Sequence, residues 1–330
     1  MSEAALLAEV RRGPIGEVMV RGHVAATDGR GHLVAVAGDP EVVTTLRSCV
    51  KPLQAVPFVA SGACESLGCG EDELALACAS HQGEQVHVDT ARRLLGRAGL
   101  DDSALSCGPQ LPYSEEAARQ LHRAGEEPGR IHNNCSGKHA AMLATCVHVG
   151  WPVAGYAAAE HPLQRAIAAV YSAATGVDFD VLPHAVDGCG LPTYGVPLRL
   201  LAKAFCAAAH DSGAFRRCQQ AMAAHPQMVG GTGRFDSDLL AQHGERLTAK
   251  VGGAAIWVAV LRDGTLGVAV KLEAGAGTHL PPIALAVLLQ LGMIDDDLSE
   301  PLRIHAAGEV RNWAGEVVGG TSAQVALRSA

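Results

Sequence analysis

The chain has 330 residues, 48% hydrophobic and 18% charged, which excludes a disordered chain and leaves room for one large domain or two ordinary ones. Its 26 basic and 34 acidic side chains give a net charge of −8, which argues against nonspecific binding to nucleic acid or anionic membranes. Aromatic residues are only 4%, so the core has to be built mainly from Ala, Val and Leu.

The start, Met1-Ser2-Glu3-Ala4, lacks a basic stretch leading into an apolar one, so a cytoplasmic protein is expected. Strand character follows at Val18-Met19-Val20, with a break at Gly22. His23 to Ala26 and Leu33 to Val36 flank a turn at Asp28-Gly29-Arg30-Gly31, which predicts a hairpin. The middle is helical: Glu71 to Ser80, Glu84 to Ala98, Ser114 to Ala124, Lys138 to Val149, Pro162 to Thr175, Val196 to Ala209 and Phe215 to Ala224. Strands return at Ala255 to Leu261 and Leu266 to Leu272, joined by Arg262-Asp263-Gly264-Thr265, a strong hairpin signal. A helix from Pro281 to Leu291 and a strand near Glu316-Val317-Val318 complete the chain. No run reaches the roughly 18 apolar residues of a membrane helix. Strand-rich ends around a helix-rich middle predict an α+β (mixed α/β) fold whose two ends join one antiparallel sheet. No linker or internal repeat divides the chain.

Ten cysteines show no Cys-x-x-Cys pair, so most are expected to be buried thiols in a reducing compartment. Several short blocks carry possible chemistry. Ser48-Cys49-Val50-Lys51 is a Ser-x-x-Lys tetrad at the start of an apolar segment. On a helix such residues share a face, and a neutral lysine there can deprotonate the hydroxyl. That requires a shift of roughly three units from the lysine reference value, for which burial and a neighbouring cation such as Arg47 are the available causes. Ser80-His81-Gln82-Gly83-Glu84 interrupts an apolar run with polar groups, either as a cap with a turn or as a second catalytic hydroxyl. Asn133-Asn134-Cys135-Ser136-Gly137-Lys138-His139 opens a helix, and Asp187-Gly188-Cys189-Gly190 is a tight turn around a thiol. Cys135 and Cys189 can share a metal, with Lys138, His139 or Asp187 completing the set, and two thiolates favour zinc. Lys271 stands late in a strand before a Gly-rich loop, as an exposed edge lysine or as a cation beside a nucleophile. Met228 to Asp238, with Thr232, Arg234 and Asp236, reads as a turn or a pocket lining. Neither a phosphate-binding loop nor a dinucleotide fingerprint is present.

Taken together, Arg47-Ser48-x-x-Lys51-Pro52, Ser80-His81-x-Gly83-Glu84, Asn134-Cys135-Ser136-Gly137-Lys138-His139, Asp187-Gly188-Cys189-Gly190 and Lys271 resemble the L-asparaginase II family of the Rhizobium etli type, in order from about Leu7 to Val325. The resemblance implies a serine β-lactamase/glutaminase-like fold with a helical subdomain. It would form one catalytic domain over residues 1–330, with the sheet in about 1–60 and 250–330 and the helical part in about 61–249. It implies hydrolysis of L-asparagine to L-aspartate and ammonia by a homodimer carrying zinc beside the pocket. Ser48 would be the nucleophile, Lys51 its base, and Ser80 with Lys271 a second Ser-Lys pair. Cys135, Lys138 and Cys189 would be zinc ligands, with Arg47, His139 and Asp187 binding substrate. The alternatives are a glutaminase or other small-amide hydrolase on the same scaffold, a penicillin-interacting protein, and a non-catalytic metal or redox sensor.

Overall fold

The computed structural model describes residues 3–211 and 213–330; Met1, Ser2 and Ser212 lie outside the described residues. Its strands are β1 (Ala5–Arg12), β2 (Ile15–Asp28), β3 (Leu33–Ala37), β4 (Val43–Thr45), β5 (His184–Val186), β6 (Pro192–Pro197), β7 (Leu247–Gly252), β8 (Ile256–Leu261), β9 (Leu266–Leu272), β10 (Val310–Arg311), β11 (Val317–Ala323) and β12 (Arg328–Ser329). The chain falls into two compact units.

The first unit comprises residues 1–49, 195–210 and 246–330. Its sheet has the order β10-β11-β1-β2-β9-β8-β7, with β3 paired to β2 and β12 to β3, and all its pairings are antiparallel. The pairing of β1 with β11 brings the two chain ends into one sheet, as the strand-rich ends predict, and the fold is α+β. Central strands are covered on both faces and therefore read as unbroken apolar runs, as in Val24-Ala25-Ala26 and Val268-Ala269-Val270, all fully buried. The Asp263-Gly264 turn joins β8 to β9, and the Asp263 carboxylate accepts from the Thr265 amide.

Gly22 does not break a strand. β2 runs through it, and a side chain there would meet the Lys271 carbonyl and Leu7, so the residue is glycine for close approach. Val196 lies in β6 rather than in a helix, which begins at Leu198. Lys271 is not on an edge strand, because β9 lies between β2 and β8 and Lys271 pairs with both His23 and Ile256.

The second unit comprises residues 50–194 and 211–245 and is mostly helical. Its centre is the helix Ser136–Val149, buried from Ser136 through Cys146 and ended by the left-handed Gly150. Gly137 lets that helix close onto Leu76 of the helix Glu71–Ala77, where any side chain would collide. These two helices deliver the polar blocks at their ends: Ser80-His81 follows one, and Cys135 to His139 opens the other. Among the described residues, no helix is long and apolar enough to cross a membrane.

Candidate active site

In the first unit, Ser48 stands half-buried in a single 3-10 turn, Arg47–Val50, rather than in the α-helix its spacing predicts. The turn opens on Arg47 at φ +47°, a left-handed conformation that costs a non-glycine residue about 1–2 kcal/mol. Such strain is typical of positions that aim a reactive side chain. The backbone leaving β7 supports it closely. A Cβ on Gly252 would lie 3.0 Å from the Cys49 nitrogen, and one on Gly253 would lie 2.7 Å from the Arg47 guanidinium. The next two residues, Ala254 and Ala255, are also left-handed, at φ +58° and +53°. Lys271 Nζ donates to the carbonyls of Ala254 (2.7 Å) and Leu272 (2.6 Å). Burial lowers the Lys271 pKa, and Glu273 works against that.

In the second unit, Lys51 begins a one-turn helix with Pro52 behind it and is completely buried. Its Nζ donates to the Ala79 carbonyl at 2.5 Å and to the Asn134 carbonyl at 3.3 Å. The Ala79 carbonyl lies just past the C-terminus of a helix, where a cation is favoured. The next residue is Ser80, whose amide donates to the Val229 carbonyl and whose hydroxyl is buried without a hydrogen-bond partner among the described residues. His81 accepts from the Gly83 amide at Nδ1, so its Nε2–H donates to Ser136 Oγ at 3.0 Å. Burial, with His87, Lys51 and His132 nearby, holds its pKa well below the usual histidine value.

Cys135, Lys138 and Cys189 converge in the same unit, each buried. Lys138 Nζ is 3.1 Å from Cys189 Sγ. The Cys189 thiol hydrogen-bonds to Cys135 and holds it well below the usual thiol value against burial, with the charges of Lys51 and Lys138 assisting. Burial opposes the charge on Lys138, but Cys135, Cys189 and Asp187 outweigh it and raise its pKa. Cys189 is presented by a tight turn in which the Asp187 amide bonds the Leu191 carbonyl and Gly190 takes φ +87°. Tyr156 OH accepts from the Ser106 amide and donates to His139 Nδ1 at 2.7 Å. That leaves the His139 Nε2–H as a buried donor without an acceptor among the described residues. Burial first, then Lys138 and Lys51, keep this imidazole neutral.

Two sulfurs and an amine, drawn together and shielded from water, are a donor set that fits zinc once the amine is neutral. Among the described residues, no three His, Cys, Asp or Glu side chains group as metal ligands, so a site here depends on Lys138 as the third donor. The Gly-rich loop is anchored rather than loose. The Thr232 amide donates to Glu84, and Gly231 at φ +117° packs on Gln82 and Glu84.

Two features escape the sequence reading. Lys250 on β7 is fully buried, two residues before the Gly252 that meets Cys49. Its signal is a lone lysine inside the apolar run Leu247-Thr248-Ala249-Lys250-Val251. The Tyr156–Ser106 support of His139 has no local signal, since its members are far apart in the chain.

A family model described as L-asparaginase II matches residues 8–323. No match is found among curated proteins. A solved structure described as "Crystal Structure Analysis of Mglu" aligns over 85% of this chain and 69% of that chain, with 14% identity and a TM-score of 0.27. A likeness of that size carries no argument.

Proposed function

The chain belongs to the L-asparaginase II family and is thereby an amide hydrolase, and from that premise we propose that it converts L-asparagine to L-aspartate and ammonia. The observation that carries the reading is the enclosed Lys51 amine, hydrogen-bonded to the carbonyl that precedes Ser80, whose own hydroxyl is buried and unpartnered among the described residues. An enclosed lysine is the kind that serves as a base.

In this reading Ser48 Oγ attacks the side-chain amide carbon while Lys51, three residues on, takes the hydroxyl proton. The proton returns through Ser80 to the nitrogen as the C–N bond breaks and ammonia leaves. Water then cleaves the aspartyl ester and restores Ser48. Backbone amides around Ser48 stabilise the oxyanion, a contribution of about 3 kcal/mol per donor. Lys250, buried in the strand that ends against Cys49, is proposed as the second cation of the nucleophile's surroundings. Arg47 suits the substrate carboxylate, Asp187 its ammonium, and the orphan His139 Nε2–H an acceptor on the substrate. Cys135, Cys189 and Lys138 would hold zinc, which when bound supplies a fixed positive charge that stabilises the two thiolates. The experiment is ammonia release from L-asparagine, beside L-glutamine, by wild type and Ser48→Ala.

A further inference from the structure

Three non-glycine residues take left-handed backbone conformations among the described residues, and all lie in the first unit: Arg47, Ala254 and Ala255. Alanine has no side chain that prefers this region, so something outside the Ala254-Ala255 pair must hold it there. The end of β9 does so at both carbonyls. Lys271 Nζ donates to Ala254 O at 2.7 Å, and the Leu272 amide donates to Ala255 O at 3.0 Å. A second bond from Nζ to Leu272 O, at 2.6 Å, ties the ammonium to its own strand. The turn fastened in this way continues from Gly252 and Gly253, the residues whose missing side chains let the backbone close on Cys49 N and on the Arg47 guanidinium.

We propose that Lys271 is a positioning residue: it locks the Gly252–Ala255 turn, and the turn in turn sets the backbone of Arg47 to Cys49 and the aim of Ser48. The claim about rate rests on the reading of Ser48 as nucleophile; the claim about the turn does not. Lys271 exchanges no proton with substrate in this role, and its donors are spent on backbone carbonyls. Of its ionisable neighbours, Glu273 raises its pKa, and its own charge lowers that of His23.

The test compares Lys271→Met and Lys271→Arg with wild type. Arginine can bond both carbonyls but does not give up a proton in this pH range, so it rescues a positioning role and not a proton relay. Lys271→Met should lower kcat about 100-fold, the order expected when a reacting group is misplaced by about 1 Å. KM should stay within about two-fold and the pH profile should keep its shape. Lys271→Arg should recover most of the lost rate. Hydrogen exchange should rise in Lys271→Met for peptides covering 252–255 and 46–50, and stay at the wild-type level in Lys271→Arg. If Lys271→Met does not fold, Lys271→Gln takes its place with the same readings expected. An arginine variant no better than methionine, a lost limb of the pH profile, or unchanged exchange in both peptides would each overturn the proposal. Wild-type protein inactive on both amides would defeat the functional reading alone, because exchange still reports whether Lys271 holds the turn.

Discussion

The turn that carries Ser48 is shaped by backbone: a left-handed Arg47, two left-handed alanines and two glycines at closest approach. The ground around Cys135 is shaped by ionisable side chains instead, with Lys51, Lys138, Cys135, Cys189 and His139 all buried on ordinary helix and turn backbone. The first region can be disturbed by a methyl group, and charge enters it through the Lys271 ammonium that fastens the Ala254 carbonyl. The second tolerates changes of shape but not a substitution that leaves a buried ion unmatched, since such an ion is costly.

The charged region gives the largest expected effect. Cys135→Ala leaves the Lys138 ammonium buried without its thiolate and should cost about 3–5 kcal/mol. Lys138→Met removes the cation, and the Cys135 thiolate left behind can take up a proton and become an ordinary buried thiol, so the cost should stay near about 1 kcal/mol. Urea unfolding of chelator-treated protein compares the two; Lys138→Met costing as much as Cys135→Ala would mean that charge does not organise this region. Zinc added back should stabilise wild type and neither variant.

Next is the backbone region. Gly252→Ala pushes a methyl 2.6 Å from Ile256 Cγ2 and 3.0 Å from Cys49 N. Overpacking of this kind should cost about 1–3 kcal/mol and lower kcat with little change in KM. Thermal unfolding with steady-state kinetics measures both, and an unaffected kcat would separate this turn from the nucleophile.

The smallest effect is a pH slope. The folded His81 pKa lies well below the unfolded value of about 6.5, so between the two the unfolded chain binds the extra proton. Stability should therefore be flat above about pH 6.5 and fall below it, by up to about 1.4 kcal/mol per pH unit for this one group. His81→Gln should reduce the slope between pH 6.5 and 5 in urea titrations. An unchanged slope would mean that other buried histidines, such as His87, carry it.

Much of the sheet is legible in the sequence because local chemistry dictates it. Asp28 to Gly31 and Asp263-Gly264 mark their hairpins, and Pro162 to Thr175 matches its helix end to end. β7 is less legible because burial on both faces erases the alternation that identifies a strand, and the N-terminal part of β2 because it is exposed from Ile15 to Met19 and has no buried face to mark it. Gly22 reads as punctuation when its role is contact with β9 and Leu7, which only tertiary structure supplies. Within the candidate site, Ser48, Lys51, Cys135, Lys138 and Cys189 draw notice by residue type, but their spacing alone is weak and their proposed roles come from the joint resemblance of the blocks to the family. The left-handed Ala254-Ala255 pair is invisible, since nothing about two alanines announces a conformation imposed by Lys271 from another strand. Lys250 is overlooked for a related reason: a single lysine in an apolar run announces burial only once the strand is placed.

Ammonia release from L-asparagine and L-glutamine, by wild type and Ser48→Ala, tests the central claim most directly. Release from asparagine is expected, lowered by Ser48→Ala at least about 10⁴-fold with the variant folded like wild type. Undiminished release by Ser48→Ala, or silence of the folded, zinc-supplied wild type toward both amides, would contradict it.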